Sequence, residues 1–435
     1  MKLQKKWPTK MKGVEIQMRY NVVGKRLPRF DAQQQVTGQS MYVDDYVKPG
    51  MLYGYVLRSE YAHAKIKSID ISAAEKYPGV KAIITHKDIP CNRFGVHVDD
   101  QPVLADDKVR HYGDAVAAVA AETLKIAEEA AKLIKVEYEQ LAGVFDVYEA
   151  MKENSPKVHG DSNIFKKIRI ANGDVEKAFA ESDFIVEDTF KTQRVEHVHI
   201  EPHVGYAEIA PNGDLIINDS TARPFTIAAD LGKILKIPMH RIQVITGAIG
   251  GAFGGKNEIT TEPIMAILAM KTKRPVKIKY TREDEFISST IRHPYYGKYK
   301  SGVTKEGIII AREVEIFADG GAYVDRGVST LTKACVHGCG PYNIPNTLVN
   351  GYLVYTNNPI SGAMRGFGVP QVGFAYEVHM DTIAERLGIN PIELRLKNVL
   401  KDDDFLPCGQ EMPIVTITET IEKAMEIYNS RKGMK

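Results

Sequence analysis

The sequence predicts an α+β fold. Residues 51–58 (MLYGYVLR) and 135–139 (KVEYE) alternate like strands, while Leu124, Ala127, Ala131 and Ile134 recur at helical spacing. The two patterns are mixed along the chain instead of alternating strictly, which argues against a doubly wound parallel sheet. The length of 435 residues allows two or three domains with substantial cores.

Residues 1–19 read as a basic tail, without the apolar stretch of a secretory signal or a twin arginine. Residues 20–150 read as one α+β unit. It contains strands at 51–58, 80–85 and 135–139 and a helix at 123–134, with Pro78-Gly79 as a turn. The apolar run 115–121 (AVAAVAA) is far too short to cross a membrane. Residues 151–165 are polar, contain Pro156 and Gly160, and read as a linker. The larger unit, 166–435, offers strands at 184–190, 215–219, 242–246, 276–280 and 308–317. It also offers helices at 261–270 and at 374–387, the latter ended by Gly388. Asn390-Pro391 caps and opens a further helix, and Thr416 with Glu419 fits a capping box for the last one.

A net charge of +2 excludes strong attraction to nucleic acid or an anionic membrane. Cys91, Cys335, Cys339 and Cys408 form no C-x-x-C pair, so they read as free thiols in a reducing, cytoplasmic setting.

The densest chemical signal is 241–258 (RIQVITGAIGGAFGGKNE), with five glycines from Gly247 to Gly255. A strand, a bare loop and a helix N-terminus make a cradle for an anion. Gly250 to Lys256 satisfies G-x-x-x-x-G-K, but Asn257 stands where a P-loop needs a magnesium-binding hydroxyl. A nucleotide-binding protein is therefore one alternative. His197, His199, Glu201 and His203 (HVHIEPH) recur every second residue and would share one strand face, so a zinc hydrolase is another. A hydrogen-bonded structural cluster is preferred there, because Pro202 interrupts the strand. In the second glycine-flanked loop, Arg365 offers a fork for an anion and Phe367 a ring for stacking. Lys333, taken alone, reads as a solvated lysine.

Together these segments resemble one family. Residues 23–38, 42–46, 58–65 and 102–121 are similar to the α/β hammerhead domain of the xanthine dehydrogenase and aldehyde oxidase family. Residues 250–256 resemble its G-G-x-F-G-x-K loop and residues 363–371 (AMRGFGVPQ) its R-G-F-G loop. The resemblance implies a hammerhead followed by the first half of a molybdopterin-binding region, with molybdenum held by the pterin's own sulfurs. Gly250, Gly251, Ala252, Phe253, Gly254 and Arg365 would then contact the cofactor, and Phe367 would face an aromatic substrate. The cofactor is expected as molybdenum-molybdopterin, either plain or as the cytosine dinucleotide.

Three positions depart from the xanthine enzymes. Ala222 replaces the glutamine of an S-T-Q segment, Asn257 a purine-contacting glutamate, and Lys333 a substrate-anchoring arginine. These three with Phe367 (Phe367, Lys333, Asn257 and Ala222) form the expected substrate pocket. The family's catalytic glutamate motif belongs to a second half that this chain lacks, so the general base is expected in a medium molybdopterin subunit. 2Fe-2S clusters and FAD are expected in further partners. The pattern is most similar to the large subunit of split, nicotinate dehydrogenase-type members. Hydroxylation of an N-heterocyclic aromatic with oxygen drawn from water is the implied activity.

Overall fold

The computed structural model describes Val22 and residues 25–432; the expected tail 1–19 lies outside them. The chain divides into two compact units after Met41. In the first, the described residues form one short helix, Ala32–Val36, with no buried residue.

The second unit is built on two large sheets. The seven-stranded sheet runs in the order Ile242–Ile245, Leu215–Asp219, Val204–Ile209, Val276–Lys279, Leu52–Arg58, Ala115–Ala121, Val80–Thr85. Strands from both sides of the polar stretch 151–165 therefore share one sheet. The run AVAAVAA is a strand paired on both edges, with Tyr53 opposite Ala121 and Ile83 opposite Val119. It shows no polar alternation because both of its faces are covered. Ala117, Val119 and Ala121 pack with Ala127, Ala130 and Ala131 of the helix Leu124–Ala131, while Ala118 and Ala120 join the core of the helix Glu262–Thr272.

The five-stranded sheet runs Ile164–Asn172, Asn346–Tyr355, Ile309–Gly321, Tyr295–Val303, Phe184–Lys191. The helices Gly327–His337 and Val369–Leu387 bury Leu331, Ala334, Val372 and Ile383 in the same core as its residues Val314, Ile316 and Val349.

The expected strand 80–85 and strand 215–219 match in both bounds. The helix expected from 374 starts at Val369, because Gly368 turns in through a left-handed conformation and Pro370 lies in the first turn, where no N–H partner is needed. The strand expected to end at 317 continues to Gly321. No helix among the described residues is long and apolar enough to cross a membrane.

One polar chain, half-buried Asp188 with buried His379 and Ser301, has the connectivity of a hydrolase triad. Ser301 is fully buried and its hydroxyl accepts from Arg312 Nε at 3.0 Å, so it braces the core and meets no substrate.

Candidate functional site

The glycine loop follows the strand Ile242–Ile245 and precedes the helix Glu262–Thr272. Gly251 (φ +104°) and Gly254 (φ +108°) occupy the left-handed region, and a Cβ on Gly254 would lie 2.6 Å from the Ala363 carbonyl. Phe253 also has positive φ (+51°) and is 49% exposed. The N–H groups of Gly251, Ala252, Phe253 and Gly254 find no acceptor among the described residues. Four consecutive free donors on a turn form an anion-binding concavity.

The R-G-F-G loop lies directly against this one. Arg365 N–H donates to the Phe253 carbonyl at 2.8 Å, and the Arg365 carbonyl accepts from Arg292 Nη2 at 2.9 Å. The Arg365 side chain is exposed, with no ion pair or hydrogen bond among the described residues. Phe367, half-buried, is held at φ +54° between Gly366 and Gly368.

Two of the remaining pocket candidates adjoin the glycine loop. Ala222 is exposed, and its N–H donates to the Lys256 carbonyl at 2.8 Å. Asn257 follows Lys256 and is half-buried. Glu258, one position on, is committed to Arg326 Nε at 2.5 Å and Arg223 Nη1 at 3.6 Å. Lys333 is exposed on the helix Gly327–His337, whose Thr330 and Ala334 pack at Gly368. No hydrogen bond or ion pair among the described residues joins Lys333 itself to either loop.

The HVHIEPH segment is not a strand. Val198 takes φ +50° and breaks the alternation, so the expected shared strand face does not form. The segment is instead the back wall of the glycine loop. A Cβ on Gly255 would lie 2.9 Å from His197 Nδ1, and one on Gly250 would lie 2.5 Å from Glu201 Cβ. Lys256, 1% exposed, points its ammonium at Glu201 Oε2, 2.7 Å away, and the same oxygen accepts the Gly250 N–H at 2.9 Å. Burial lowers the Lys256 pKa, and the Glu201 hydrogen bond and charge oppose that shift.

His199, His203 and Glu285 bring one potential metal-ligand atom each within 4.8 Å of one another. His203 is already engaged, however. Its Nδ1 lies 2.9 and 3.0 Å from the two Glu285 oxygens, and its Nε2 lies 3.1 Å from the Gly255 carbonyl. Both ring nitrogens thus already have oxygen partners. Burial alone would raise the Glu285 pKa, but the His203 hydrogen bonds and charge outweigh it and hold the carboxyl at about 2. A hydrogen-bonded His203–Glu285 pair stands here in place of an open ligand set. Burial pushes the neighbouring His199 down to about 4. Glu285, on the helix Arg282–Ser288, carries no sequence signal of this role; its run REDEFIS reads only as an acidic helix start.

Known proteins share this arrangement of domains. The molybdopterin cofactor-binding domain family model matches residues 158–399, and that of the aldehyde oxidase and xanthine dehydrogenase a/b hammerhead domain matches residues 37–142. The chain belongs to the xanthine dehydrogenase and aldehyde oxidase family of molybdenum-dependent oxidoreductases, as a molybdopterin-binding subunit. It is 42% identical over 409 residues to the nicotinate dehydrogenase large molybdopterin subunit of Eubacterium barkeri, covering 94% of this chain and 96% of that one. It is 43% identical to a probable xanthine dehydrogenase subunit of Bacillus subtilis, covering 87% of this chain but 51% of the relative. Among solved structures, the aldehyde oxidoreductase from Desulfovibrio gigas superposes with a TM-score of 0.89 at 32% identity, over 93% of this chain and 46% of that one. The chain thus spans nearly all of the Eubacterium relative and about half of the other two.

The residues fit a molybdopterin. Four free loop amides offer donors to phosphate and pterin oxygens, the bare glycine positions let the backbone approach closely, and Arg365 supplies an unpaired planar cation beside them.

Proposed function

We propose that this chain is the large molybdopterin-binding subunit of a molybdenum hydroxylase acting on an N-heterocyclic aromatic substrate. A nicotinate-like ring is preferred, then a purine, then an aldehyde. The observation that carries this reading is the row of unpaired amides at 251–254, with the Arg365 loop bonded to its Phe253 carbonyl. The pterin-bound metal, when present, supplies the redox chemistry of hydroxylation, and this chain positions cofactor and ring. Gly250 to Gly254 and Arg365 bind the cofactor, Phe367 stacks on the substrate, and Ala222 and Asn257 line the pocket. Lys333 offsets negative charge developing on the ring. Residues 20–150 serve as the hammerhead and 166–435 as the cofactor-binding domain.

The near-complete coverage of the Eubacterium subunit, against about half of the Bacillus subunit, supports a molybdopterin region divided between two chains. The general base then lies on a medium molybdopterin subunit, and electrons leave through partner subunits carrying 2Fe-2S clusters and FAD in the cytoplasm. Metal analysis of the purified complex tests this reading. Molybdenum and iron with a releasable pterin are expected, either plain or as the cytosine dinucleotide; zinc without molybdenum refutes it. Within a loaded complex, Lys333→Ala is expected to lower turnover of an anionic ring while molybdenum content stays. Equal loss of both makes Lys333 structural.

A further inference from the structure

We propose that Glu201 is a positioning residue that sets the shape of the glycine loop by binding both of its ends through one carboxylate oxygen. The consequence for the cofactor rests on the function proposed above; the effect on the loop does not.

The loop from Gly250 to Lys256 has little internal support. Within it, only the turn from Gly255 N–H to the Ala252 carbonyl, 2.8 Å, closes on itself. Three of its residues hold positive φ, and four of its amides have no acceptor among the described residues. Such a segment keeps one shape only if something outside it fixes its ends, because glycine loses more conformational freedom on ordering than any other residue.

Glu201 is placed to do this. Its Oε2 accepts from the Gly250 N–H at the start of the loop and from the Lys256 ammonium at the end. Its own N–H returns to the Gly250 carbonyl at 3.2 Å, so the first contact is reciprocal. Lys256 forms no other ion pair among the described residues, and its side chain has no exposure to water. A buried ammonium that leaves its single carboxylate loses far more than a surface pair does, which keeps the clasp closed. The wall behind is anchored in turn, because the next histidine, His203, ties Glu285 to the Gly255 carbonyl. Among the described residues, Glu201 is the only side chain that hydrogen-bonds both Gly250 and Lys256.

The end of the loop and its middle also carry the contacts that align its neighbours. Lys256 O receives the Ala222 N–H, and Phe253 O receives the Arg365 N–H. Opening the clasp therefore loosens both pocket edges at once. A residue that merely stabilises the fold would not single out these amides.

Hydrogen exchange resolved to single amides on the full chain tests the proposal, in the parent, in Glu201→Asp and in Glu201→Met/Lys256→Met. Aspartate keeps the charge but is one methylene too short to reach both ends. The double variant removes the buried charge together with the clasp. In both, the amides of Ala222, Gly250, Gly255 and Arg365 are expected to exchange at least about tenfold faster, through local opening. Amides of the strand Asn346–Tyr355 are expected to be unchanged. Pterin-bound molybdenum per chain is expected to fall in parallel, and the double variant to regain the parent's unfolding midpoint without regaining loop protection. Parent-like exchange at the four amides in Glu201→Asp overturns the proposal. So does recovery of loop protection together with the midpoint in the double variant, since Glu201 would then only balance a charge. A parent that binds no molybdenum pterin overturns the functional reading, and the exchange rates still decide the role of Glu201.

Discussion

Replacing Gly254 with alanine separates backbone strain from collision in the cofactor loop. At φ +108° any Cβ is strained, at a cost of about 1–2 kcal/mol. The new methyl would also lie 2.6 Å from the Ala363 carbonyl oxygen and 3.0 Å from Met364 Cα. Those are backbone atoms of the apposed loop and cannot rotate away, so overpacking adds about 1–3 kcal/mol. A total of roughly 2–5 kcal/mol is expected, exerted between the two loops. Gly388→Ala is the control: its φ is +66° and nothing lies within 4 Å of the added Cβ, so only strain operates. The Arg365 N–H, which donates to the Phe253 carbonyl, reports the contact directly. Its exchange should rise by a factor on the order of thirty or more in Gly254→Ala, at tenfold per ~1.4 kcal/mol. Urea midpoints should place Gly254→Ala clearly below Gly388→Ala. If the two variants lose the same stability and the Arg365 amide is unaffected, the two loops are not packed as described.

Stability should fall with acid in two stages. His199 at about 4 and His293 at about 3 are held neutral chiefly by burial. Their contribution is complete above the ordinary histidine value near 6.5 and is lost as pH falls, up to about 3 kcal/mol per pH unit for the two together. A urea midpoint that stays flat from pH 7 to 5 contradicts this. Glu285, held at about 2 against an ordinary value near 4.5, contributes stability above pH 4.5 that is lost as pH falls towards 2. That contribution amounts to about 3 kcal/mol, and Glu285→Gln should abolish this acid limb in calorimetric scans. Asn390 Oδ1 accepts the N–H groups of Ile392 at 2.8 Å and Glu393 at 3.4 Å. Asn390→Ala should cost about 0.5–2 kcal/mol by chemical denaturation, and Asn390→Asp should restore most of it.

What the chain reveals by itself is set by near neighbours. The Asn390-Pro391 helix start, the strand 215–219 and the bare turn at 250–255 each follow from residues a few positions apart, where capping, alternation and missing side chains act. The pairing of the two glycine loops was legible only through resemblance to a family, because nothing local joins Phe253 to Arg365. The run 115–121 hid its strand identity because both of its faces are buried, which erases the period that a half-exposed strand displays. The histidine segment was ambiguous for a different reason. Imidazole serves equally as metal ligand, proton donor or packing plate, and residue type does not say which atoms its nitrogens meet. Tertiary structure decided that point by bringing Glu285 and the Gly255 carbonyl to His203, and Gly250 and Lys256 to Glu201. These are contacts between residues some fifty to eighty positions apart, and only the folded chain specifies them.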